Sequence, residues 1–328
     1  MRLPPELQDA IDLETAKVER RKLAHAVSQL SDHYKAADFS TAAVTSDAHR
    51  AAYLAVRMPA TYAVICRVLS EITGYAPHAE IKSLLDIGSG PGTALFAAAE
   101  EFPLEQSTLV EVDPEWIALA QHLAQQTRVE AIQKAQWIKQ DIRSGLSCSP
   151  HDLVIISYTI GELSKPAAEV VLRKAWNCAG KFLVIIEPGT PRGFAAIDSA
   201  RSLLIASSAK IIAPCPHQSA CPMAAAGDWC HFAQRVERTS LHRQLKGGTL
   251  GYEDEKFSYL IAAKPEVVAG KESQLYSRIV RHPLTHSGHI KFTLCTPQGE
   301  IENRTVTRSN KTAYKAARRA EWGDTWKE

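Results

Sequence analysis

A glycine-rich loop with an acidic residue at its start is the first group of residues that could bind a ligand. It follows the apolar run IKSLLDIG (81–88), precedes the helix-like segment TALFAAAEEF and consists of Asp86-Ile87-Gly88-Ser89-Gly90-Pro91-Gly92-Thr93. Glycines at such a junction let the backbone pass close to a ligand, and the first amides of the following helix point toward that ligand. The loop therefore predicts a cofactor site.

Acidic residues follow the next two β-rich runs. Glu111 and Asp113 stand at the end of the run STLVEV (107–112), and Asp141 follows the run AQWIKQ (135–140). An acid at the end of the second strand of a nucleotide-binding fold can accept both hydroxyls of a ribose. The loop and the acids together predict a cofactor that contains a ribose.

This loop, with acids after the second and third strands, resembles the class I S-adenosylmethionine-dependent methyltransferase fold. The resemblance implies a set of cofactor-binding residues, namely Asp86, Gly88, Ser89, Gly90, Gly92, Asp113 and Asp141. Asp86 and the loop would lie at the methionine end, Asp113 at the ribose and Asp141 at the adenine. Glu111 is the alternative ribose ligand. NAD is the alternative cofactor, although its G-x-G-x-x-G signature requires a glycine where Thr93 stands.

Catalytic residues are not assigned from the sequence. The segment SYTIGEL (157–163) lacks the Asn-Pro-Pro-Tyr type motif with which amino-group methyltransferases hold a base amine, and it lacks the Pro-Cys pair of cytosine-C5 enzymes. Glu162 or Tyr158 could act as a general base. An acidic residue that caps a helix is the simpler interpretation of Glu162.

Three of the seven cysteines lie close together, with the spacing C-x5-C-x8-C at Cys215, Cys221 and Cys230. In a reducing compartment such crowding predicts a metal rather than disulfides. The spacing leaves two ways to complete four ligands. A histidine would give a zinc site, and a remote cysteine would give a four-cysteine iron-sulfur site. The histidines near enough in sequence are His217, His231 and His242.

The other four cysteines have different expected roles. Cys295 is the remaining cysteine of the C-terminal part, whereas Cys66, Cys148 and Cys178 are expected to be buried small hydrophobic residues. The C-x3-C-x2-C arrangement of radical enzymes is absent from the sequence. A radical mechanism is therefore not expected.

The elements that must position these residues are visible in the hydrophobic pattern. Apolar residues recur with helical spacing over residues 6–75. Five short β-rich runs lie between 81 and 187 and alternate mostly with helix-length segments. This alternation predicts an α/β fold with a doubly wound, Rossmann-like parallel sheet. We predict a helical N-terminal region (1–78), a cofactor-binding domain (79–212 and 253–270), a Cys-rich metal-binding insertion (213–252) and a basic C-terminal β/α unit (271–328). A basic helix is expected over KTAYKAARRAEWG near the end.

The charge of the chain is unevenly distributed. Residues 1–200 have 19 basic and 24 acidic side chains, while residues 201–328 have 19 and 12, so the net charges are −5 and +7. Between Lys271 and Arg319 there are ten Lys or Arg and three acids, with aromatic residues among them. Such a segment suits structured RNA. The basic residues expected to add to this surface, beside the cysteines, are Arg235, Arg238, His242, Arg243 and Lys246.

Five sequence blocks together resemble the Rsm22 family, the methyltransferase-like proteins of the ribosomal small subunit. The blocks are DIGSGPGT, EPGTPRGF (187–194), CPH with DWCHFAQRVER (228–238), EDEKFSYLIA (253–262) and KAARRAEWGD (315–324). The resemblance covers about residues 50–324. It implies a four-iron, four-sulfur cluster held by Cys215, Cys221, Cys230 and Cys295, and a role in small-subunit maturation.

The resemblance implies one of two functions. The first is S-adenosylmethionine-dependent methylation of ribosomal RNA, and the alternative is a non-catalytic assembly factor that binds ribosomal RNA through a methyltransferase fold. The sequence has no run of about 18 to 20 apolar residues, and its start resembles neither a signal peptide nor a transit peptide. We therefore expect a cytoplasmic protein that binds no membrane and is monomeric apart from the ribosome.

Overall fold

A computed structural model describes residues 1–36, 44–146, 148–269 and 276–327 of the chain. The chain divides into two compact units. The first consists of residues 1–70, 80–147 and 234–255, and the second of residues 71–79, 148–233 and 256–328. The start of the predicted basic C-terminal unit, including Lys271, lies outside the described residues.

Helices and strands alternate through the middle of the chain. The helices are α1 (Pro5–Ala16), α2 (Arg20–Ala36), α3 (Asp47–Val56), α4 (Met58–Tyr75), α5 (Thr93–Glu101), α6 (Pro114–Gln125), α7 (Glu130–Gln133), α8 (Lys165–Cys178), α9 (Pro191–Ala206), α10 (Pro222–Ala225), α11 (Ser240–Lys246) and α12 (Lys311–Ala317). The strands are β1 (Ser83–Ile87), β2 (Gln106–Glu111), β3 (Gln136–Lys139), β4 (His151–Ser157), β5 (Ala179–Pro188), β6 (Lys210–Ala213), β7 (Phe232–Glu237), β8 (Tyr252–Ala263), β9 (Ser277–Ile279), β10 (Leu284–His286), β11 (His289–Cys295), β12 (Ile301–Thr307) and β13 (Thr325–Trp326).

The first unit contains the N-terminal helices and three parallel strands. Strand β2 lies between β1 and β3, with Ile87 opposite Val110 and Glu111 opposite Lys139. Parallel strands end at the same edge of a sheet, so the loop after β1 and the acids after β2 and β3 share one edge. Apolar residues on facing sides of α2 and α3 pack into a separate core, in which Leu23 contributes from α2.

The second unit contains the other strands, except that most of β7 and the first residues of β8 belong to the first unit. Strand β5 pairs in parallel with β4 and antiparallel with β8, and β6 pairs antiparallel with β8. The runs Leu153–Ile156 and Phe182–Ile186 are fully buried, which explains why both are continuously apolar in sequence. The predicted α/β architecture is confirmed, because each of the five β-rich runs contains a strand, but the sheet is mixed rather than parallel, since β8 pairs antiparallel with β5 and β6. Strands β6 and β7, which border the Cys-rich segment, were not predicted.

The predicted antiparallel C-terminal sheet is also present. Strand β11 pairs antiparallel with β9, β10 and β12, and β13 pairs with β9. Its core is formed by Ile279, Phe292, Leu294 and Trp326 among others. The basic helix is shorter than predicted, because α12 ends at Ala317 and the following residues form turns.

Cys148 and Cys178 differ from their expected role, because they form a disulfide with a Cα–Cα distance of 6.3 Å. The physical reason is the strand pairing: Cys148 lies just before β4 and Cys178 just before β5, where His151 is opposite Ala179. Two cysteines that precede neighbouring parallel strands are brought together by the sheet. Cys66 is buried and unpaired, as expected.

Among the described residues, no single helix is long and apolar enough to span a membrane. Helices α3 and α4 reach the required length and composition only as a pair, bent by 47°.

Candidate functional site

The glycine loop of the first unit is anchored on β2 and open at its centre. The amides of Gly88 and Ser89 donate to the carbonyl of Val110, at 2.8 and 3.1 Å. Gly90 has a left-handed φ of +50°, and a Cβ built there would meet no heavy atom within 4 Å. At Gly92, with φ +79°, a Cβ would lie 3.0 Å from the Trp137 ring. Trp137 therefore fills the space beside Gly92, whereas the space beside Gly90 is open.

Asp86 is a buried acid without a partner beside this loop. It is 1 % exposed, and neither carboxylate oxygen has a hydrogen-bond partner. The hydroxyls of Ser89 and Thr93 also lack partners. Burial, with a smaller contribution from the charge of Glu111, raises the pKa of Asp86 to about 8. Buried polar groups are nearly always hydrogen-bonded, so these orphaned atoms mark a place where a polar ligand would fit.

Glu111 is committed to holding the loop. Its carboxylate accepts from the amide of Gly90 at 2.8 Å and from the amides of Val112 and Asp113 at 2.8 and 3.0 Å. Asp113 uses one oxygen to cap α6 by accepting from the amide of Glu115 at 2.9 Å. The other Asp113 oxygen lies 3.9 Å from the Arg50 guanidinium. Of the two acids at the end of β2, Asp113 is the one that keeps acceptor capacity for a ligand.

Asp141 lies at the same edge but already has a charged partner. Arg143 donates to both of its oxygens, and the closest contact is 2.7 Å. These hydrogen bonds lower the pKa of Asp141. The sequence analysis did not select Arg143, Arg50 or Val112. Val112 is apolar, lies between Glu111 and Asp113 in sequence, and is 50 % exposed. The position of this apolar residue directly after the end of β2 could have indicated a surface on which a planar ring of a ligand packs.

The segment after β4 contacts a buried acid of β5 that the sequence analysis did not select. Glu187 of β5 is 2 % exposed and accepts from the amide of Gly161 at 3.1 Å. Burial raises the pKa of Glu187 to about 7. Arg192 donates to the Gly161 carbonyl at 2.8 Å, while Glu162 is exposed. The acid at the end of the apolar run FLVIIE was the available signal.

Four cysteines of the second unit line one cavity. Cys215 follows β6, Cys221 precedes α10, Cys230 precedes β7 and Cys295 ends β11. None of the four thiols that line this cavity is in a disulfide. The structure therefore brings the three clustered cysteines together with the one that lies 65 residues beyond Cys230 in sequence.

The protonation of these thiols reflects their burial and their proximity. Burial raises the pKa of Cys215, and it raises the pKa of Cys295 to about 12. The pKa of Cys230 lies well above its usual range, because of burial and because the other three sulfurs are close. Thiols in such a group ionise readily only when a cation balances the thiolates.

The geometry does not match a site for one metal ion. Within the described parts of the chain, no group of three or more His, Cys, Asp or Glu side chains is arranged to hold a metal. Tetrahedral zinc with Zn–S bonds of about 2.3 Å brings its ligand sulfurs within about 4 Å of one another. The structure thus places the four cysteines around one cavity without forming such a compact set among the described residues.

The three candidate histidines have separate surroundings. His217 places Nε2 3.4 Å from Cys295 Sγ. His231 stacks on Trp229 with ring centroids 5.4 Å apart. His242 belongs to the first unit, where its Nε2 lies 3.4 Å from Glu253. Only His217 has a described contact with a cysteine thiol.

Several basic residues expected to contact RNA are instead paired within the first unit. Arg238 and Lys246 contact Glu253 at 2.8 and 3.0 Å. Arg235 pairs with Asp254 at 2.9 Å. The acidic segment EDE (253–255) neutralises their charges, which the sequence spacing did not reveal. The exposed basic residues of the described C-terminal part, from residue 276 to 327, are Lys291, Arg308, Lys311, Lys315, Arg318, Arg319 and Lys327.

Comparison with known proteins gives one family and several relatives. Residues 47–327 match the family model described as mitochondrial small ribosomal subunit Rsm22. A relative from Homo sapiens, ribosome assembly protein METTL17, mitochondrial, is 27% identical over 289 residues, which are 83% of this chain and 61% of that protein. The Rsm22-cox11 tandem protein 2, mitochondrial, of Schizosaccharomyces pombe is 26% identical over 88% of this chain and 44% of its own length.

A third relative is ribosome assembly protein RSM22, mitochondrial, of Saccharomyces cerevisiae, 24% identical over 60% of this chain and 48% of its own length. The chain thus spans about half the length of the curated relatives it matches. The prediction of a cytoplasmic protein is wrong, because the family description and these relatives' names point to mitochondria.

Solved structures similar to this chain include two methyltransferases. Magnesium protoporphyrin IX methyltransferase from Synechocystis, with bound SAM, is 14% identical over 71% of this chain and 90% of that chain, with a TM-score of 0.41. The N-methyltransferase NodS from Bradyrhizobium japonicum, in complex with S-adenosyl-L-homocysteine, is 11% identical over 61% of this chain and 86% of that chain, with a TM-score of 0.40.

Proposed function

We propose, because this chain belongs to the Rsm22 family of mitochondrial small ribosomal subunit proteins, that it binds ribosomal RNA and acts in assembly of the small subunit. In this proposal one unit binds S-adenosylmethionine and the other holds an iron-sulfur cluster. The observation that carries the proposal is the placement of four cysteines, distant in sequence, around one cavity. Two relatives that are named ribosome assembly proteins support the same role.

The cofactor site would be formed by the edge of the parallel strands in the first unit. Asp86 and the loop Gly88, Ser89, Gly90 and Gly92 would hold the methionine part, Asp113 the ribose and Asp141 the adenine. S-adenosylmethionine would supply a methyl group from its sulfonium. The open position at Gly90 and the orphaned oxygens of Asp86 support this assignment. Glu111 would position the loop rather than contact the ribose, because its carboxylate already accepts three amides.

Substitution of Asp113 by Ala should weaken binding of S-adenosylmethionine by about 1–3 kcal/mol, through loss of charge-assisted hydrogen bonds to the ribose. Calorimetric titration measures this change. Glu115→Ala is the matched control, because Glu115 is an exposed acid at the start of the same helix. Equal affinities of the Asp113 variant and the parent protein, or binding of NAD in place of S-adenosylmethionine, would contradict the assignment.

Binding of S-adenosylhomocysteine should strengthen as the pH rises from about 6 to 8. The raised pKa of Asp86, about 8, means that the free protein has a protonated Asp86 at pH 7. The ligand's ammonium group favours the carboxylate, so binding must release that proton, at a cost of up to about tenfold in affinity per pH unit below 8. Titrations at several pH values measure the slope. Asp86→Asn should bind weakly without this slope, and a parent protein with pH-independent affinity would refute the assignment.

The four cysteines Cys215, Cys221, Cys230 and Cys295 would hold a four-iron, four-sulfur cluster. The cavity they share, the absence of a compact single-ion group among the described residues and the family membership support this choice over zinc. Structural metal sites fix segments that are distant in sequence. Here the group would tie the Cys-rich segment to β11 of the C-terminal sheet.

The C-terminal sheet and α12 would provide the RNA-binding surface. Exposed, unburied basic side chains such as Lys291 and Lys311 can neutralise phosphates. The guanidinium of Arg308 lies 5.7 Å from the Tyr314 ring, so charge and a stacking face occur together. This surface replaces the first-unit residues Arg235 and Arg238, whose charges are already paired.

Methyl transfer to ribosomal RNA and non-catalytic assembly are the two versions of this function. The open glycine loop favours the enzyme. The segment after β4 favours the assembly factor, because it lacks a base-holding motif. The buried acid that it contacts, Glu187 of β5, already accepts a hydrogen bond from the amide of Gly161. Deletion of the gene, with mapping of small-subunit RNA modifications and complementation by Asp86→Ala and Cys221→Ser, separates the two versions.

Loss of one methylation that Asp86→Ala does not restore would indicate an enzyme. Unchanged modifications, with precursor particles that accumulate only for Cys221→Ser, would indicate an assembly factor. Normal particles and normal RNA in the deletion strain would reject both versions.

A further inference from the structure

Two arginines line the four-cysteine cavity, and their charges are balanced differently. Arg278 donates to both oxygens of Glu71, at 2.9 and 3.0 Å, and to the carbonyls of Pro214 and Gly323. Its positive charge is therefore neutralised by a carboxylate within the same unit. Arg278 is thus held in place by a carboxylate and two carbonyls, and its charge favours the thiolates of Cys215 and Cys295 by lowering their pKa values against burial.

Arg201 of α9 has no such carboxylate partner. It is 3 % exposed, its Nη2 donates to the backbone carbonyl of His217 at 2.9 Å, and its Nε is buried without a hydrogen-bond partner. The half-buried Asp198, one turn earlier on α9, lines the same cavity but forms no described ion pair with Arg201. The Arg201 charge does act on Asp198, since it lowers the pKa of that carboxyl against burial. A buried guanidinium that no carboxylate contacts directly is costly, so the cavity is suited to a group with negative charge.

His217 connects Arg201 to one of the sulfurs. Its Nδ1 lies 3.5 Å from Nη2 of Arg201, and its Nε2 lies 3.4 Å from Sγ of Cys295. A guanidinium can only donate, so Nδ1 facing it acts as an acceptor and the ring proton lies on Nε2. The imidazole N–H then points at the Cys295 sulfur.

We propose that Arg201 and His217 are positioning residues that set the reduction potential of the iron-sulfur group held by the four cysteines. Arg201 supplies a buried positive charge that no carboxylate contacts directly, and His217 supplies an N–H···S hydrogen bond. Both favour the reduced, more negative state of a cluster, because charge and hydrogen bonds at the sulfurs tune its potential. This inference rests on the proposed iron-sulfur cluster.

The test compares reduction potentials of anaerobically purified full-length variants by redox titration followed by electron paramagnetic resonance. Arg201→Gln should keep the iron and sulfide content of the parent protein and should shift the potential to a more negative value. Arg201→Lys, which keeps the charge, should restore most of the potential. Arg173→Gln is the matched control, because Arg173 is an exposed arginine of α8 paired with Glu169.

A full cluster at an unchanged potential in Arg201→Gln would overturn the inference. If that variant does not fold, His217→Gln provides a second measurement. It should also lower the reduction potential, because it loses the hydrogen bond to Cys295. An unchanged potential in His217→Gln would then reject the inference. A parent protein without iron and sulfide would contradict the proposed cluster itself, which is a different outcome.

Discussion

Substitution of Cys295 by Ser should leave the protein without iron and sulfide, whereas the parent protein purified anaerobically should be brown and contain both. Cys295 ends β11 and is the only one of the four cavity cysteines that lies outside the segment 215–230. A hydroxyl is a poor substitute for a thiolate as a ligand of an iron-sulfur cluster. Removal of this ligand therefore eliminates the cluster and the link between the Cys-rich segment and the C-terminal sheet.

Iron and sulfide assays and visible absorption measure the effect of Cys295→Ser. Cys66→Ser is the matched control, since Cys66 is also a buried, unpaired cysteine but lies on α4. That variant should keep its full colour. A colourless parent protein with one zinc, or a Cys295→Ser variant that retains its metal, would show that a nearby histidine completes the site.

The loss of the cluster should also loosen the second unit. Without a cation, Cys215, Cys230 and Cys295 would return to the neutral form that burial favours, and the raised pKa of Cys295, about 12, describes that state. Neutral thiols give no electrostatic compensation to Arg201. We therefore expect faster proteolysis near the cysteines in Cys295→Ser than in Cys66→Ser.

The sheet strands could be predicted from sequence because their chemistry is local. The runs around Leu153 and Phe182 are continuously apolar, as expected for strands buried on both faces, and each is followed by a helix-length segment. The loop from Gly88 to Gly92 could be recognised for the same reason, since the left-handed φ angles it requires select glycine.

The contacts that complete the sites could not be predicted, because they join residues far apart in sequence. Arg278 and Glu71 are separated by 207 positions, and Arg201 meets His217 only because α9 packs beside the Cys-rich segment. The ion pairs of Arg235 and Arg238 with the EDE segment show that the sequence analysis overestimated the positive charge available to RNA. The count of basic residues left out the acids of the segment 253–255, which are distant in sequence but pair with these arginines in the structure.

Substitution of Arg278 by Met should lower the free energy of unfolding by about 3–5 kcal/mol, because it leaves a partly buried carboxylate without its partner. Arg278 is 2 % exposed and holds Glu71, Pro214 and Gly323 with four hydrogen bonds. Denaturant unfolding followed by circular dichroism measures the loss. The control is Arg304→Met, which removes a surface arginine paired with Glu302 and should cost at most about 1 kcal/mol.

The double variant Glu71→Leu, Arg278→Met distinguishes the ion pair from simple packing. Removal of both charges abolishes the unpaired carboxylate, so the double variant should be more stable than Arg278→Met alone. If the two variants unfold at the same denaturant concentration, the pair contributes through the shape of its side chains rather than through charge.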